Sequence, residues 1–192
     1  MSRRLSFAEL EAGLETLLAI PATNRLVGIY ARPAKCERLA LATAGLSVET
    51  GLEQDNWLTE NWLFLENNQP DPRNQVSLMN SRVLRLIADD DERMRLAGNN
   101  LIVDFDLSEA AAPAGTRLQI GGVVLEISDV PHTGCRSFSN RFGFDATRFV
   151  NSPQGKALHL RGRYAQILKP GQVTVGDTVS RVSSSCEVAA MS

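Results

Sequence analysis

Short strand-like segments, separated by glycine-containing turns, constrain the fold of this chain more than any other feature of its sequence. The segments are rich in apolar and β-branched residues and span 26–31, 38–43, 75–79, 100–105, 116–120 and 123–128. A Gly-Gly pair at 121–122 can adopt the positive φ of a tight turn, so it predicts a hairpin between the last two segments. Pro170 and Gly171 predict a second hairpin, between strands 157–168 and 172–182. Consecutive hairpins favour a mainly β barrel or sandwich.

Helical patterns precede and interrupt these strands. The Ser-x-x-Glu sequence at 6–9 has the form of a capping box and predicts a helix that ends after Ile20, because Pro21 follows. Shorter helices are predicted around 81–88 and near 146–150. These helices lie at the edges of the strand pattern, so we expect them to pack on the outside of the β domain.

A chain of 192 residues is long enough for one well-buried domain. We expect a helical extension over 1–24, a β-barrel domain over 25–183 and a short tail over 184–192. No apolar run approaches the roughly 18 residues that a membrane span needs. The N-terminal residues do not predict a secretory signal.

The three cysteines are far apart in the sequence, and none forms a CxxC pair, which favours a reducing, cytoplasmic location over disulfides or structural zinc. A formal net charge of −2 gives no general electrostatic footprint for nucleic acid. The sequence contains no phosphate-binding GxxxxGK[ST], no GxGxxG, no HExxH and no GxSxG motif. With two histidines in the chain, a histidine-rich metal site is excluded.

Cys135 lies in a loop directly after the strand-like segment 123–128, where a fold can present a reactive thiol. Arg136, Arg141 or a protonated His132 can stabilise its thiolate, the form that binds soft metals and attacks electrophiles. His132 can also transfer a proton or simply cap the loop. The alternative is structural, since a free cysteine often packs as a small hydrophobe.

Polar residues of the segment 157–168 permit two interpretations. His159 alternates with apolar neighbours in the predicted strand, which favours a structural role. Arg161 and Arg163 alternate in the same way and can share one face of the strand. Exposed arginines that form ion pairs are the alternative for both.

Several segments, taken in order along the chain, resemble a known family. They are 29–33 (IYARP), 51–55 (GLEQD), 76–81 (VSLMNS), 99–103 (NNLIV), 118–127 (LQIGGVVLEI), Cys135 and 171–177 (GQVTVGD). This series is similar to the MOSC domains, named for the C-terminal domain of molybdenum cofactor sulfurases. Two positions depart from the family pattern: Gln54 stands where a glycine is usual, and Gly98 stands where an arginine is usual.

The resemblance implies a MOSC-type β-barrel with an N-terminal helix, a few short peripheral helices and a cysteine at the barrel mouth. In the family this cysteine either ligates molybdenum in the molybdenum cofactor or carries sulfur as a persulfide, and Cys135 is the matching residue. The resemblance also implies a cofactor pocket that includes Asn80, Ser81 and Asn100. Arg136 is close enough in sequence to contribute, and Arg73 can supply the charge that the family's arginine would carry.

Three functions follow from this resemblance. The first is a molybdenum-dependent reductase of N-hydroxylated compounds, a small-molecule substrate class, that takes electrons from an external electron-transfer protein. The second is a cofactor-free sulfur carrier that receives a persulfide on Cys135 from a cysteine desulfurase, in which case pyridoxal phosphate belongs to that partner. The third is a noncatalytic binding barrel in which Cys135 is buried.

Overall fold

Two β-sheets form the frame of the molecule, which is described here by a computed structural model over residues 4–182. The strands are β1 (Arg25–Ala31), β2 (Leu39–Leu41), β3 (Thr43–Ser47), β4 (Gly51–Leu52), β5 (Val76–Asn80), β6 (Leu101–Asp104), β7 (Arg117–Ile120), β8 (Val123–Ile127), β9 (Arg163–Lys169), β10 (Gly171–Thr174) and β11 (Val179–Arg181). The larger sheet has the order β11-β7-β8-β9-β5-β6-β1-β2, and the smaller has the order β10-β3-β4. The pairs are antiparallel except β5 with β6.

The larger sheet curls until β11, at one edge, meets β1, the strand next to the other edge. Arg25 at the start of β1 forms a β-bridge with Thr178, just before β11. Backbone hydrogen bonds extend this link, including Leu26 N to Asp177 O at 2.9 Å and Val179 N to Asn24 O at 2.9 Å. The expected mainly β, barrel-like fold is therefore confirmed.

Six α-helices accompany the sheets in residues 4–182. They are α1 (Phe7–Leu18), α2 (Ser81–Ala88), α3 (Asp91–Met94), α4 (Arg136–Phe142), α5 (Phe144–Asn151) and α6 (Pro153–Ala157), with single 3₁₀ turns at Pro72–Asn74 and Arg95–Ala97. The capping box before α1 is present, with Ser6 and Glu9 as predicted. The helix ends two residues earlier than expected, and Ile20 is exposed. None of the helices between residues 4 and 182 has the length and apolar character needed to cross a bilayer.

Two hydrophobic clusters lie on opposite faces of the larger sheet. Side chains alternate along β5, so Leu78 enters the barrel interior while Met79 enters the helical layer, and neither is exposed to solvent. The helical layer includes Leu10, Leu14 and Phe149, from α1 and α5. The central strands are thus covered on both faces, which explains their nearly continuous apolar sequence.

The hairpin predicted at 121–122 is confirmed, because Ile120 of β7 pairs with Val123 of β8. The hairpin predicted at Pro170 is wrong. The chain passes there from β9 in the larger sheet to β10, which pairs with β3 in the smaller sheet. Segment 38–43 is likewise divided between β2 and β3, and so between the two sheets.

The predicted strand 157–168 is wrong in its first half. Ser152 caps α6 by accepting a hydrogen bond from Gly155 N at 2.9 Å, and Pro153 fits the first helical turn. A turn then leads into β9, with Gly162 at a φ of +100°. A Cβ on Gly162 would lie 2.0 Å from the carbonyl oxygen of Leu78 in β5, which is a steric clash. The turn can therefore approach β5 this closely only with glycine at position 162.

Candidate functional site

Cys135 stands at the N-terminal end of α4, and its carbonyl accepts a hydrogen bond from Ser139 N at 3.0 Å. Asn151 at the end of α5 makes two hydrogen bonds to the loop before Cys135. Its Oδ1 accepts from Gly134 N at 2.8 Å, and its Nδ2 donates to Gly134 O at 2.9 Å. A Cβ on Gly134 would lie 2.9 Å from a methyl group of Val150, so glycine allows the loop to approach α5. The Cys135 side chain remains exposed. This exposure excludes the structural alternative of a buried thiol.

The thiol faces a pocket of about 410 Å³. The pocket is lined by Arg32, Trp62, Ser77, Gly98, Pro131, His132, Thr133, Cys135, Arg161 and Tyr164. These residues come from the ends of β1 and β5, from the start of β9 and from the connecting loops. The pocket therefore forms where several strands of the larger sheet end.

One wall of the pocket is aromatic. The His132 ring stacks on Tyr164 with centroids 4.2 Å apart, and Trp62 lies beside Tyr164 at 6.1 Å. Burial raises the pKa of the Tyr164 hydroxyl, so that hydroxyl stays protonated at neutral pH. Trp62 is 59% exposed and stands at the rim.

His132 lines the pocket together with Cys135, but it is not a cation. Burial holds the pKa of His132 well below its usual value, and the positive charges of Arg161 and Arg32 lower the pKa further. Its Nδ1 atom is buried and has no hydrogen-bond partner. A neutral imidazole can exchange a proton with a bound ligand, but it cannot supply the positive charge expected for the thiolate.

Arg161 supplies charge at this position instead. Its guanidinium is buried, donates to Asn99 Oδ1 and to Ala97 O, and packs over the Phe138 ring at 4.9 Å. Burial lowers the pKa of Arg161 to about 10. The side chain therefore stays protonated at neutral pH and places a positive charge at the pocket that Cys135 also lines.

Arg32 is held at the pocket by Asp55. The two side chains form a bidentate ion pair, with Arg32 Nη2 2.8 Å from Asp55 Oδ1 and Arg32 Nε 2.9 Å from Asp55 Oδ2. Asn100 is buried behind them and donates to Asp55 Oδ2 at 2.9 Å. Its own Oδ1 accepts from the backbone and hydroxyl of Ser77 at 3.1 and 3.0 Å. Asn100, a predicted site residue, thus positions Arg32 and Ser77 without lining the pocket.

Two further predicted cofactor residues lie away from the pocket. Asn80 caps α2, because its Oδ1 accepts from Arg82 N at 2.9 Å while its Nδ2 donates to Phe105 O at 2.9 Å. Ser81 is buried at the first position of the same helix. Asn80 caps the helix and Ser81 is its first residue, and neither lines the pocket, so their assignment to the cofactor gains no support from the structure.

Three other predicted arginines, Arg73, Arg136 and Arg163, are not among the residues that line the pocket. Arg73 pairs with Asp71 at 2.7 Å and with Asp129 at 3.3 Å. Arg136 is exposed at the start of α4. Arg163, expected to share a face with Arg161, instead binds Glu109 at 3.0 Å and two backbone carbonyls.

Buried polar atoms without partners concentrate at this site. Among residues 4–182, three buried side-chain nitrogens lack a hydrogen bond: Arg38 Nε, His132 Nδ1 and Arg161 Nε. His132 and Arg161 line the pocket, and Arg38 lies beside Gly98, which also lines it. Each unsatisfied group costs about 1–3 kcal/mol, so their common location indicates that a ligand completes the site. Residues 4–182 contain no group of three or more His, Cys, Asp and Glu side chains that could hold a metal ion.

Solved structures share this fold. A protein described as hypothetical is 20% identical, with a TM-score of 0.56, over 87% of this chain and 71% of its own. YiiM from Escherichia coli is 17% identical, with a TM-score of 0.54, over 83% of this chain and 70% of its own. YuaD from Bacillus subtilis is 15% identical, with a TM-score of 0.56, over 81% and 93% of the two chains. No curated protein matches the sequence.

The sequence itself supplies the family. The MOSC domain model matches residues 66–180, which is more than half of the 192-residue chain and includes Cys135. The matched region begins before β5 and ends within β11, so it contains most of the larger sheet. The chain therefore belongs to the MOSC domain family.

Proposed function

We propose that this MOSC protein binds the molybdenum cofactor in the Cys135 pocket, with the Cys135 sulfur as its ligand to molybdenum, and that it reduces N-hydroxylated compounds. The observation that carries the proposal is the set of buried, unpaired nitrogens at His132, Arg161 and Arg38 around an exposed thiol. A bound group with hydrogen-bonding atoms would satisfy these nitrogens, whereas an empty barrel would leave them unpaired.

The residues present fit this cofactor in three respects. A cysteine thiolate is a soft donor suited to molybdenum, and Cys135 is exposed at the pocket. The His132–Tyr164 wall suits a planar ring system such as a pterin. Unpaired guanidinium nitrogens suit the anionic end of the molecule. When bound, the cofactor supplies the two-electron chemistry of molybdenum.

The protein's own part in such a reduction concerns protons and charge. Reduction of R–NHOH to R–NH₂ and water consumes two electrons and two protons. The electrons come from an external electron-transfer protein. His132 Nδ1, buried at the pocket and neutral, can hold or pass one of the protons. Arg161 donates to neutral acceptors, so its charge keeps the pocket positive and favours binding of the anionic cofactor.

A sulfur carrier is the second candidate, and the exposure of Cys135 favours it. A pyridoxal phosphate-dependent cysteine desulfurase could reach this thiol and leave a persulfide, which Arg161 would stabilise as an anion. One sulfur atom would nevertheless leave most of a 410 Å³ pocket unfilled and its buried nitrogens unpaired. The cofactor-binding function therefore fits the pocket better.

The molybdenum and sulfur content of the purified protein distinguishes the two proposed functions. We would measure molybdenum and mass under native conditions for the wild type, Cys135→Ser and the matched control Cys36→Ser, which removes another exposed thiol. The proposal expects stoichiometric molybdenum and pterin in the wild type and the control, and neither in Cys135→Ser. One additional sulfur on Cys135 without molybdenum would instead support the carrier. Molybdenum retained by Cys135→Ser would contradict the proposed ligand.

A further inference from the structure

Gly98 lies among three guanidinium groups, two from the loop between β1 and β2 and one from α4. A Cβ on this residue would be 3.4 Å from Arg38 Nη2 and 3.8 Å from Arg141 Nη1. The Gly98 carbonyl lies 3.5 Å from Arg32 Nη1. Gly98 has a φ of +81° and lines the Cys135 pocket, so the missing side chain leaves this space to the arginines.

Positive charge at this position exceeds the negative charge that the protein provides. Asp55 is the carboxylate that acts on Arg38, but Arg32 already binds both of its oxygens. Arg38 donates to Glu37 O, while its Nε is buried and unpaired. Arg141 donates to Leu96 O at 2.7 Å, a neutral acceptor. Burial and the nearby charges of Arg141 and Arg32 lower the pKa of Arg38, as expected where cations are crowded.

We infer that Arg38 and Arg141 bind a phosphate monoester group beside Gly98. This inference rests on the proposed use of the Cys135 pocket as a ligand site, and it names which residues take the anionic end. A phosphate carries about −1.5 to −2 charges and three acceptor oxygens, which matches two guanidinium forks that have no acidic partner within residues 4–182. The group can belong to the cofactor itself or to a phosphorylated substrate.

Phosphate binding to cofactor-free protein tests the inference without relying on activity. We would prepare the protein in a host that does not make the cofactor and titrate inorganic phosphate by calorimetry at constant ionic strength. Arg38→Gln and Arg141→Gln are each expected to lower phosphate affinity about tenfold, the effect of one charged hydrogen bond. The control Arg85→Gln removes an exposed arginine paired with Asp91 and is expected to bind phosphate like the wild type.

Thermal unfolding distinguishes ligand binding from a structural role of Arg38. Without phosphate, Arg38→Gln is expected to melt at or above the wild-type temperature, because it removes a half-buried charge that is crowded by Arg141 and Arg32. With phosphate, the wild type is expected to gain stability and the variant to gain less. Equal losses of melting temperature with and without phosphate would overturn the inference, as would unchanged phosphate affinity in both variants.

The cofactor-loaded protein identifies the source of the phosphate group. If loading abolishes binding of added phosphate, the cofactor occupies the Arg38–Arg141 site; if binding persists at the wild-type affinity and still depends on Arg38, a phosphorylated substrate uses it. Either result supports the site. Because the titration uses protein without molybdenum, its outcome is independent of whether Cys135 ligates the metal.

Discussion

The ion pair between Arg32 and Asp55 gives the most direct quantitative test of the site's architecture. The Asp55 side chain is 1% exposed and accepts four hydrogen bonds: three from Arg32, through N, Nε and Nη2, and one from Asn100 Nδ2. Asp55→Asn keeps the size of the side chain and removes its charge. The asparagine amide is expected to keep its oxygen at the Oδ2 position, which accepts three of the four hydrogen bonds. Its NH₂ group then takes the Oδ1 position and faces the Nη2 donor of Arg32.

The expected cost follows from these contacts. One charge-assisted hydrogen bond is lost, worth about 1.5–3 kcal/mol, and the bond to Nε becomes a weaker bond to a neutral acceptor. Arg32 is 26% exposed, so water compensates part of the loss. We therefore expect Asp55→Asn to lower the free energy of unfolding by about 3 kcal/mol, a large share of the roughly 5–15 kcal/mol typical of a domain.

Urea denaturation measures this change, provided that the slope with denaturant stays constant. A matched control is Asp91→Asn, which breaks an exposed ion pair with Arg85 and should cost less than about 1 kcal/mol. If Asp55→Asn proves no more destabilising than Asp91→Asn, the reasoning that Arg32 is fixed by a buried carboxylate is refuted.

Two further predictions concern protonation and backbone geometry. The pKa of His132 is depressed in the folded state, so the unfolded chain binds the proton first and the free energy of unfolding decreases as pH falls below about 6.5. Between pH 7 and 5, the free energy of unfolding of His132→Phe should therefore decrease by about 1–2 kcal/mol less than that of the wild type, as measured by urea titrations. An equal pH dependence in the two proteins would contradict the burial of this imidazole. Gly162→Ala should prevent folding or cost more than about 3 kcal/mol, whereas Gly115→Ala, also at positive φ but with open space around it, should cost about 1 kcal/mol. Similar melting temperatures for the two alanine variants would show that the turn at Gly162 is not closely packed against β5.

Local sequence patterns predicted those parts of the fold that depend on neighbouring residues. The Gly-Gly pair at 121–122 determines its own turn, so the hairpin of β7 and β8 could be predicted. β10 belongs to the smaller sheet because it pairs with β3, which is more than a hundred residues away in the sequence. No local sequence pattern predicts that pairing. The start of α6 has a local indication in Ser152 and Pro153, but the apolar alternation that follows is typical of a strand.

The site was predictable only where the family pattern includes it. Cys135 and its loop were identified, but Trp62 and Tyr164 come together through tertiary packing and have no common sequence motif. Asn80 illustrates the opposite error, because its position directly before a helix indicates an N-cap, and the structure shows that role. Gln54 has a φ of +61°, which explains why glycine is usual at that position of the family.

The two hydrogen bonds between Asn151 and Gly134 attach the loop that carries the exposed Cys135 to the helical layer rather than to the barrel. The walls that face the thiol, including Tyr164 and Ser77, belong to the strands of the barrel. The pocket thus lies between the barrel cluster and the helical cluster, and its width depends on how these two hydrophobic clusters pack against each other. Changes in the packing of α1 against α5, at a distance from any ligand, would shift the sulfur relative to the arginines and alter binding without removing a contact residue.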